Sequence, residues 1–468
     1  MAKMEWEKLL STKRVRTTET TSEPFRNDFE KDYERVVSSS SLRRLQDKAQ
    51  VFPLQENDFT RTRLTHSIEV SSIARSLGKR VAYHLKDKGF INELQGEQLT
   101  SLLSVCGLVH DLGNPPFGHY GEDVIKNWFE SNRNLFSSIG NKIDDFCCFD
   151  GNAQTIRILS KLQYMKDAYG INFCYGTLAT LLKYPQSSHE SIKEKKLSKR
   201  KIGFFESEKT LFEDIISETG MKDFSKNTIM RHPATYLLEA ADDIAYLFAD
   251  LEDAVKKDYA IWKKLKNDLF KVLDKTADFN SVHEKIKKMG KINNKRLPEN
   301  DCVAIEASFF RVLCQGKCIE LVCKEFVDNY DFIINGQYNE QTGRKSLCDS
   351  IPVISEIRNK CVMYAYQNSE VLSLEIIAKN VLETLLEKFI HAAMDENYED
   401  KRTESGKIYS KISPNFLLIQ KFNKKGKYIK NKKIGIYEQI QTVVDYISGM
   451  TDSYALNLHK TLLGTKLP

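Results

Sequence analysis

The chain has 468 residues, 41% of them hydrophobic and 29% charged, with a formal net charge of +6. That mild positive balance permits anionic ligands such as nucleotides without demanding nucleic acid, and the length allows about three domains. Ten prolines and 22 glycines are few for this length, which favours long helices over a turn-rich β architecture.

Residues 1–40 are polar, rich in Ser, Thr and Arg, and are expected to be an irregular arm. Met1–Lys8 has no apolar stretch of signal-peptide type, so no secretory leader is expected. Arg35 to Gln50 reads as a helix carrying Arg43 and Arg44. Thr62 to Leu85 reads as a long amphipathic helix, with Leu64, Ile68, Ile73, Leu77 and Val81 at helical spacing. Leu99 to Leu112 is a second, more buried helix, and a third begins at Gly121. Asn152 to Leu162 and Thr177 to Tyr184 are shorter ones. Residues 185–210 turn polar and basic and read as a surface excursion. His232 to Asp258 is again a long helix, opened by Pro233 in its first turn. Residues 260–290, 302–330 and 370–395 are helical by pattern, with a polar joint at 291–301. Residues 401–437 mix lysine, glycine and aromatics and could include a β-hairpin, and Tyr437 to Leu463 returns to helix. With no internal repeat and no alternating βαβ series, the expected class is all-α. No run of about 18 uncharged apolar residues occurs, so no membrane span is expected.

The ten cysteines are scattered, and the densest group, Cys314, Cys318 and Cys323, has neither CxxC spacing nor a histidine nearby. Free buried thiols in a reducing cytosol are the expectation over a structural zinc.

The segment Leu108–Glu122 stands apart. It opens on the adjacent pair His110–Asp111, breaks through Gly113, Asn114, Pro115 and Pro116, and closes on His119 and Glu122. Neighbouring residues sit about 100° apart on a helix, so both members of a pair reach one cation only from a helix end. The Gly-Asn-Pro-Pro break supplies that end. His66 and Asp242, each on a helical stretch, complete a proposed ligand set of His66, His110, Asp111 and Asp242. Two imidazoles and two carboxylates suit Mn2+ or Mg2+, with Fe2+ or Zn2+ as alternatives, and leave positions open for water or a phosphate oxygen.

His66, His110–Asp111 and Asp242 match the H…HD…D signature of HD-domain phosphohydrolases. Longer segments narrow the match. Arg43–Leu54, Arg61–Ser67, His110–Glu122, Phe149–Gln154, Glu239–Tyr246 and Asp445–Asp452 resemble bacterial deoxyguanosine triphosphate triphosphohydrolases, and the similarity is weaker across 185–230 and 260–435. The resemblance implies an HD-domain helical core over 41–260, and a mostly helical region over 261–468 that completes the cleft and makes oligomer contacts. It implies hydrolysis of a dNTP, dGTP favoured, to the deoxynucleoside and inorganic triphosphate. Water attacks the α-phosphorus, and the departing 5′-oxygen needs a proton. His119 is the matching position for that donor, with Glu122 one turn on to orient it, although His119 could instead only cap a helix start. Arg63, three residues before His66, matches a phosphate-binding arginine, while Arg61 reads as a solvated charge. Lys183, beside Tyr184, matches a segment that contacts phosphates. Tyr246 and Asp250 lie one and two turns beyond Asp242; in the family the tyrosine packs on the sugar and the aspartate accepts from the 3′-hydroxyl. Gln50 matches a sugar-binding residue, and Asn152, near Gln154, is expected in the same cleft.

The resemblance also implies a cytoplasmic homo-oligomer, a hexamer or tetramer, with single-stranded DNA as a regulator. The lysine-rich stretches 193–201 and 421–433 are compatible with such a ligand, or are simply solvated faces. Two other readings stay open: an HD phosphohydrolase acting on a different nucleotide phosphoester, and a catalytically silent nucleotide or single-stranded DNA sensor.

Overall fold

The computed structural model describes residues 3–16, 25–50, 61–163, 167–194, 200–223, 228–274, 276–293, 297–365, 369–423 and 426–466. Its architecture is all-α apart from one two-stranded antiparallel sheet. Helices α1 (Trp6–Leu9), α2 (Asp28–Val37) and α3 (Ser40–Arg44) precede the long α4 (Arg63–Asp87) and α5 (Glu93–Val109). Next come α6 (Gly118–Ser131), α7 (Asp144–Cys147), α8 (Gly151–Arg157), α9 (Tyr175–Leu181), α10 (Ser188–Ser191) and α11 (Lys209–Thr219). Strands β1 (Lys222–Asp223) and β2 (Thr228–Ile229) lead into α12 (Pro233–Lys257). Beyond it lie α13 (Tyr259–Asp274), α14 (Asn280–Asn293), α15 (Glu299–Asp328), α16 (Tyr330–Ile334), α17 (Tyr338–Thr342) and α18 (Pro352–Ala365). The chain closes with α19 (Ser369–Met394), α20 (Glu404–Tyr409), α21 (Pro414–Ile419), α22 (Ile436–Ser448) and α23 (Asp452–Leu462).

Local chemistry explains where the sequence reading fails. Residues 1–40 are not wholly irregular. The Asn27 side chain caps α2 by accepting from the Phe29 and Glu30 N–H groups, and Glu30 reaches back to the Asn27 N–H. Arg35–Gln50 is not one helix, because Ser39 caps a new start at α3. The two-stranded sheet lies at 222–229, while within 401–437 the helices α20 and α21 form and the β pairing among the described residues is one antiparallel Phe422–Tyr428 bridge, flanked by the Ile429 N–H to Lys421 carbonyl bond at 2.8 Å. Nor is 185–210 a surface excursion throughout. Ile202 and Phe205 are fully buried, and a Cβ on Gly203 would sit 2.1 Å from the Tyr184 carbonyl. Residues 195–199 of that run lie outside the described residues, as do Val51–Leu54.

Helices α4 and α5 approach so closely that a Cβ on Gly107 would meet the Ser71 backbone at 2.7 Å. They pack with α12 and α15 into one hydrophobic core. A second core joins α6 and α7 to α19, α22 and α23. The first takes in residues from Met4 to Ile357 and the second from Val124 to Leu458, so the two interleave along the chain. Cys106, Cys314 and Cys318 are fully buried free thiols in the first core, and the nine described cysteines are unpaired.

One buried ion-pair network ties α8 to the C-terminal α22. Arg157 donates to both carboxylate oxygens of Asp445, at 2.7 to 2.9 Å, and to Glu208 at 2.8 Å. Asp445→Ala leaves this guanidinium short of a counter-charge in a buried site. It is expected to cost about 3–5 kcal/mol, read by urea unfolding followed by circular dichroism.

Candidate active site

The His110–Asp111 pair stands at a helix end, as the sequence predicts: α5 ends at Val109, and His110 is its C-cap. His66 comes from the first turns of α4, which starts at the Thr62 cap, and Asp242 from α12, whose N-terminus is capped by the His232 side chain. His66 Nε2 lies 3.1 Å from Asp242 Oδ1. His110 Nε2 lies 3.4 Å from Asp111 Oδ1 and 3.5 Å from Asp242 Oδ1. Among the described residues, His66, His110 and Asp111 offer ligand atoms all within 4.8 Å of one another.

The residues fit a divalent cation. His110 Nδ1 is 2.8 Å from the Gly107 carbonyl, so it carries the proton and leaves the Nε2 lone pair facing the carboxylates. That buried Nε2 makes no well-formed hydrogen bond, although oxygens of Asp111 and Asp242 stand within 3.5 Å of it. The electrostatics show the same need for positive charge. Burial works against a charged His110, yet the carboxylates of Asp111 and Asp242 outweigh it and raise the group to about 9. Burial likewise opposes ionisation of Asp111 and Asp242, and the nearby imidazoles hold both below the ordinary carboxylate range. Asp111 is further fixed by Asn114 Nδ2 at 2.6 Å and Arg63 Nη1 at 2.7 Å.

Across the Gly-Asn-Pro-Pro break stands a second group. Phe117, in the left-handed region at φ 63°, is the cap of α6, so His119 is not. His119 lies at the cavity mouth with its side chain 77% exposed, and Nδ1 is 3.5 Å from Glu122 Oε2. Glu122 is 3% exposed and densely held. Oε1 accepts from the Gly151 N–H at 2.8 Å, and Oε2 lies 3.5 Å from Lys201 Nζ and 3.9 Å from Lys126 Nζ. The hydrogen bond and charge of Glu122 raise the His119 pKa above its ordinary value. Burial would raise Glu122, but His119, Lys201 and Lys126 hold it low.

The imidazole–carboxylate cluster hangs on helices of the first core and His119 on α6 of the second, so the site occupies the seam between them. A cavity of about 110 Å³ joins the two, lined by His110, Asp111, His119, Glu122, Lys183 and Asp242 among others. Asn152 lines it too, at the start of α8 beside the Asp150 cap. Close packing forces glycine at two points: a Cβ on Gly113 would meet the Gly151 carbonyl at 2.0 Å, and one on Gly118 would meet Arg63 Nη2 at 2.4 Å.

Gln50, Tyr246 and Asp250 lie apart from this chamber, whereas Lys183 lines it. Tyr246 and Asp250 follow one and two turns along α12 and do not line it. Gln50 is half-buried, with an Oε1 that has no partner among the described residues, and it also stands off the cavity wall. Lys183 Nζ is 3.6 Å from Glu239 and 5.7 Å from the Tyr184 ring centroid. Arg61 corrects the sequence reading. It is not solvated; its guanidinium is 12% exposed and ion-paired to Glu69, Glu252 and Asp253, because α4 and α12 close around it.

Lys201, Lys126 and Gly151, which hold Glu122, escaped the sequence reading. Gly151 carried a signal in the Phe149–Gln154 segment; Lys201 lies in a basic run with no periodicity to single it out. No helix among the described residues is long and apolar enough to cross a membrane.

The HD domain family matches residues 63–145, and the phosphohydrolase-associated domain matches residues 418–461. A deoxyguanosinetriphosphate triphosphohydrolase-like protein of Listeria monocytogenes is 35% identical over 98% of this chain and 100% of its own length. A like-named protein of Synechocystis sp. is 32% identical over 99% of this chain and 100% of its own. A deoxyguanosinetriphosphate triphosphohydrolase of Yersinia enterocolitica is 28% identical over 94% of each.

Proposed function

Because this chain belongs to the deoxyguanosinetriphosphate triphosphohydrolase family of HD-domain phosphohydrolases, we propose that it cleaves a dNTP, dGTP favoured, to the deoxynucleoside and inorganic triphosphate. The observation that carries this reading is one cavity with two chemically distinct walls: a buried imidazole–carboxylate cluster, and a histidine backed by a buried carboxylate.

His66, His110, Asp111 and Asp242 would hold a divalent cation, Mn2+ or Mg2+ first and Fe2+ or Zn2+ as alternatives, which supplies Lewis acidity to an α-phosphate oxygen and acidifies the attacking water. The protein's own groups do the rest. Arg63, fixed by Asp111, offers its remaining donors to a phosphate oxygen. Lys183 adds charge on the α12 side of the cavity. His119 protonates the departing 5′-oxygen, and Glu122 orients the ring and stabilises its protonated form. Asn152 lines the phosphate chamber, and Gln50, Tyr246 and Asp250 hold the sugar beyond it. Tyr246 excludes a 2′-hydroxyl, so Tyr246→Ala is expected to narrow the dNTP-over-rNTP ratio in kcat/KM by about tenfold or more, with equal loss on both substrates counting against this role.

Turnover of each of the four dNTPs with Mn2+ or Mg2+, products resolved by chromatography, tests the reading. Deoxyguanosine with intact triphosphate supports it, and orthophosphate alone rejects it. The same reading takes the enzyme to be a cytoplasmic homo-oligomer, tetramer or hexamer, that responds to single-stranded DNA. Sedimentation, and turnover with and without oligonucleotide at low salt, check the last two points.

A further inference from the structure

Two buried charged residues with no part in the reading above hold the two ends of the loop between the metal cluster and His119. Lys48 is 2% exposed, and its Nζ donates to the Asn114 carbonyl at 2.5 Å and the Ser448 carbonyl at 2.9 Å. Asp452, also 2% exposed, accepts from the Phe117 N–H at 2.9 Å with one oxygen and from the Ala49 N–H at 2.9 Å with the other. The loop has few other handles. Pro115 and Pro116 lack an N–H, and the Asn114 and Gly118 N–H groups bond within the loop, to the Asp111 and Pro115 carbonyls. Just before these residues the Gly113 N–H bonds to Thr155 Oγ1 at 2.9 Å; within 114–117, among the described residues, Phe117 supplies the one N–H that reaches another element, and it does so in a left-handed conformation that a non-glycine residue keeps only when its surroundings enforce it.

Each handle leads to a different half of the site. The Asn114 side chain donates to Asp111 Oδ1, so Lys48 acts on the metal-ligand end. Phe117 caps the helix that carries His119, so Asp452 acts on the proton-donor end. Lys48 and Ala49 are themselves tied to the start of α4: the Lys48 carbonyl accepts from the Arg63 N–H at 2.9 Å, and Ala49 bridges Thr62. Ser448 ends α22 and Asp452 begins α23, inside the segment that matches the phosphohydrolase-associated domain.

We propose that Lys48 and Asp452 are positioning residues: the α22–α23 junction sets the separation between the metal ligands and the general acid, through Lys48 at one end of the 114–117 loop and Asp452 at the other. This rests on the function proposed above. It gives the C-terminal segment a task in the chemistry beyond completing a core.

The test is a crossed phenotype. Asp452→Asn keeps the shape and one acceptor oxygen; it is expected to lower kcat by about tenfold or more, with KM and calorimetric Mn2+ affinity each within about twofold of wild type. Lys48→Met is expected to weaken Mn2+ binding by about tenfold, and Lys48→Arg, which retains a buried donor for both carbonyls, to recover most of that loss. Asp452→Glu retains both acceptor oxygens on a longer stem and is expected at an intermediate kcat, which keeps the question answerable if the asparagine variant does not fold. Wild-type kcat in both Asp452 variants, wild-type Mn2+ affinity in Lys48→Met, or the same loss of both parameters at both positions would overturn the proposal. If the wild-type chain releases no triphosphate from any dNTP, the substrate reading fails, while the Mn2+ titrations still decide Lys48. An NMR titration of the His119 ring, assigned by its loss in His119→Ala, then decides Asp452: a displaced His119 pKa in Asp452→Asn supports the proposal and an unchanged one overturns it.

Discussion

Asp111→Asn is expected to abolish Mn2+ binding and to reduce turnover by about a thousandfold or more. The carboxylate accepts from Arg63 Nη1 at 2.7 Å and Asn114 Nδ2 at 2.6 Å, and offers an oxygen within 4.8 Å of ring nitrogens of His66 and His110. An amide in its place removes one of two negative charges from the cluster and turns a donor NH2 towards Arg63, Asn114 or the cation. Losing about 4 kcal/mol of charge stabilisation at the phosphate corresponds to that thousandfold. A thermal-shift series with Mn2+ checks the binding half. Saturation at about 100 times Kd stabilises the wild-type chain by about 2.7 kcal/mol, and the variant is expected to show no Mn2+-dependent rise. A variant that still binds Mn2+ and still turns over would remove Asp111 from the ligand set.

His119→Ala is expected to lower kcat by about a hundredfold to ten-thousandfold and leave Mn2+ affinity unchanged. The side chain is exposed at the cavity mouth and its hydrogen bond goes to Glu122, not to a proposed metal ligand, so its loss is expected to leave the cluster intact. The pH profile carries the sharper signature. A general acid must be protonated, so kcat/KM falls as pH rises through the His119 pKa, and Glu122 places that pKa above the ordinary imidazole value. The alkaline limb therefore lies above about 6.5, and Glu122→Gln, which removes both the charge and the better acceptor, moves it to lower pH. An alkaline limb that stays put in Glu122→Gln would separate the two residues and sink the assigned pair.

The legible part of the site was the part carried by helix ends. If both were to reach one cation, His110–Asp111 had to mark a terminus, because neighbours share no helix face, and α5 does end there. The long helices were readable from their apolar spacing. The all-α class followed; the lysine, glycine and aromatic stretch carries one antiparallel Phe422–Tyr428 bridge, and the two-stranded sheet at 222–229 gave no signal. Short elements set by a single cap were not readable: Asn27 starts α2 inside a polar arm, and Ser39 divides the Arg35–Gln50 stretch. The support of Glu122 was hidden for a different reason. Lys201 reaches it from a run of lysines that looks solvated, and the burial of Ile202 and Phe205 beside it, with Asp150 Oδ2 at 3.4 Å, turns the ammonium inward. Arg61 shows the same limit from the other direction, since three carboxylates from α4 and α12 surround a residue that reads as exposed. Long-range partners of charged side chains are set by tertiary packing, and no local pattern encodes them. Lys48 and Asp452, 404 positions apart in number but joined through one loop, are the extreme case.

Hydrolysis of dGTP in oxygen-18 water, with mass spectrometry of both products, tests the proposed reaction most directly. Attack at the α-phosphorus with departure of the 5′-oxygen predicts one labelled oxygen in inorganic triphosphate and an unlabelled deoxyguanosine. Label in the nucleoside, or release of deoxyguanosine monophosphate with pyrophosphate, would contradict it.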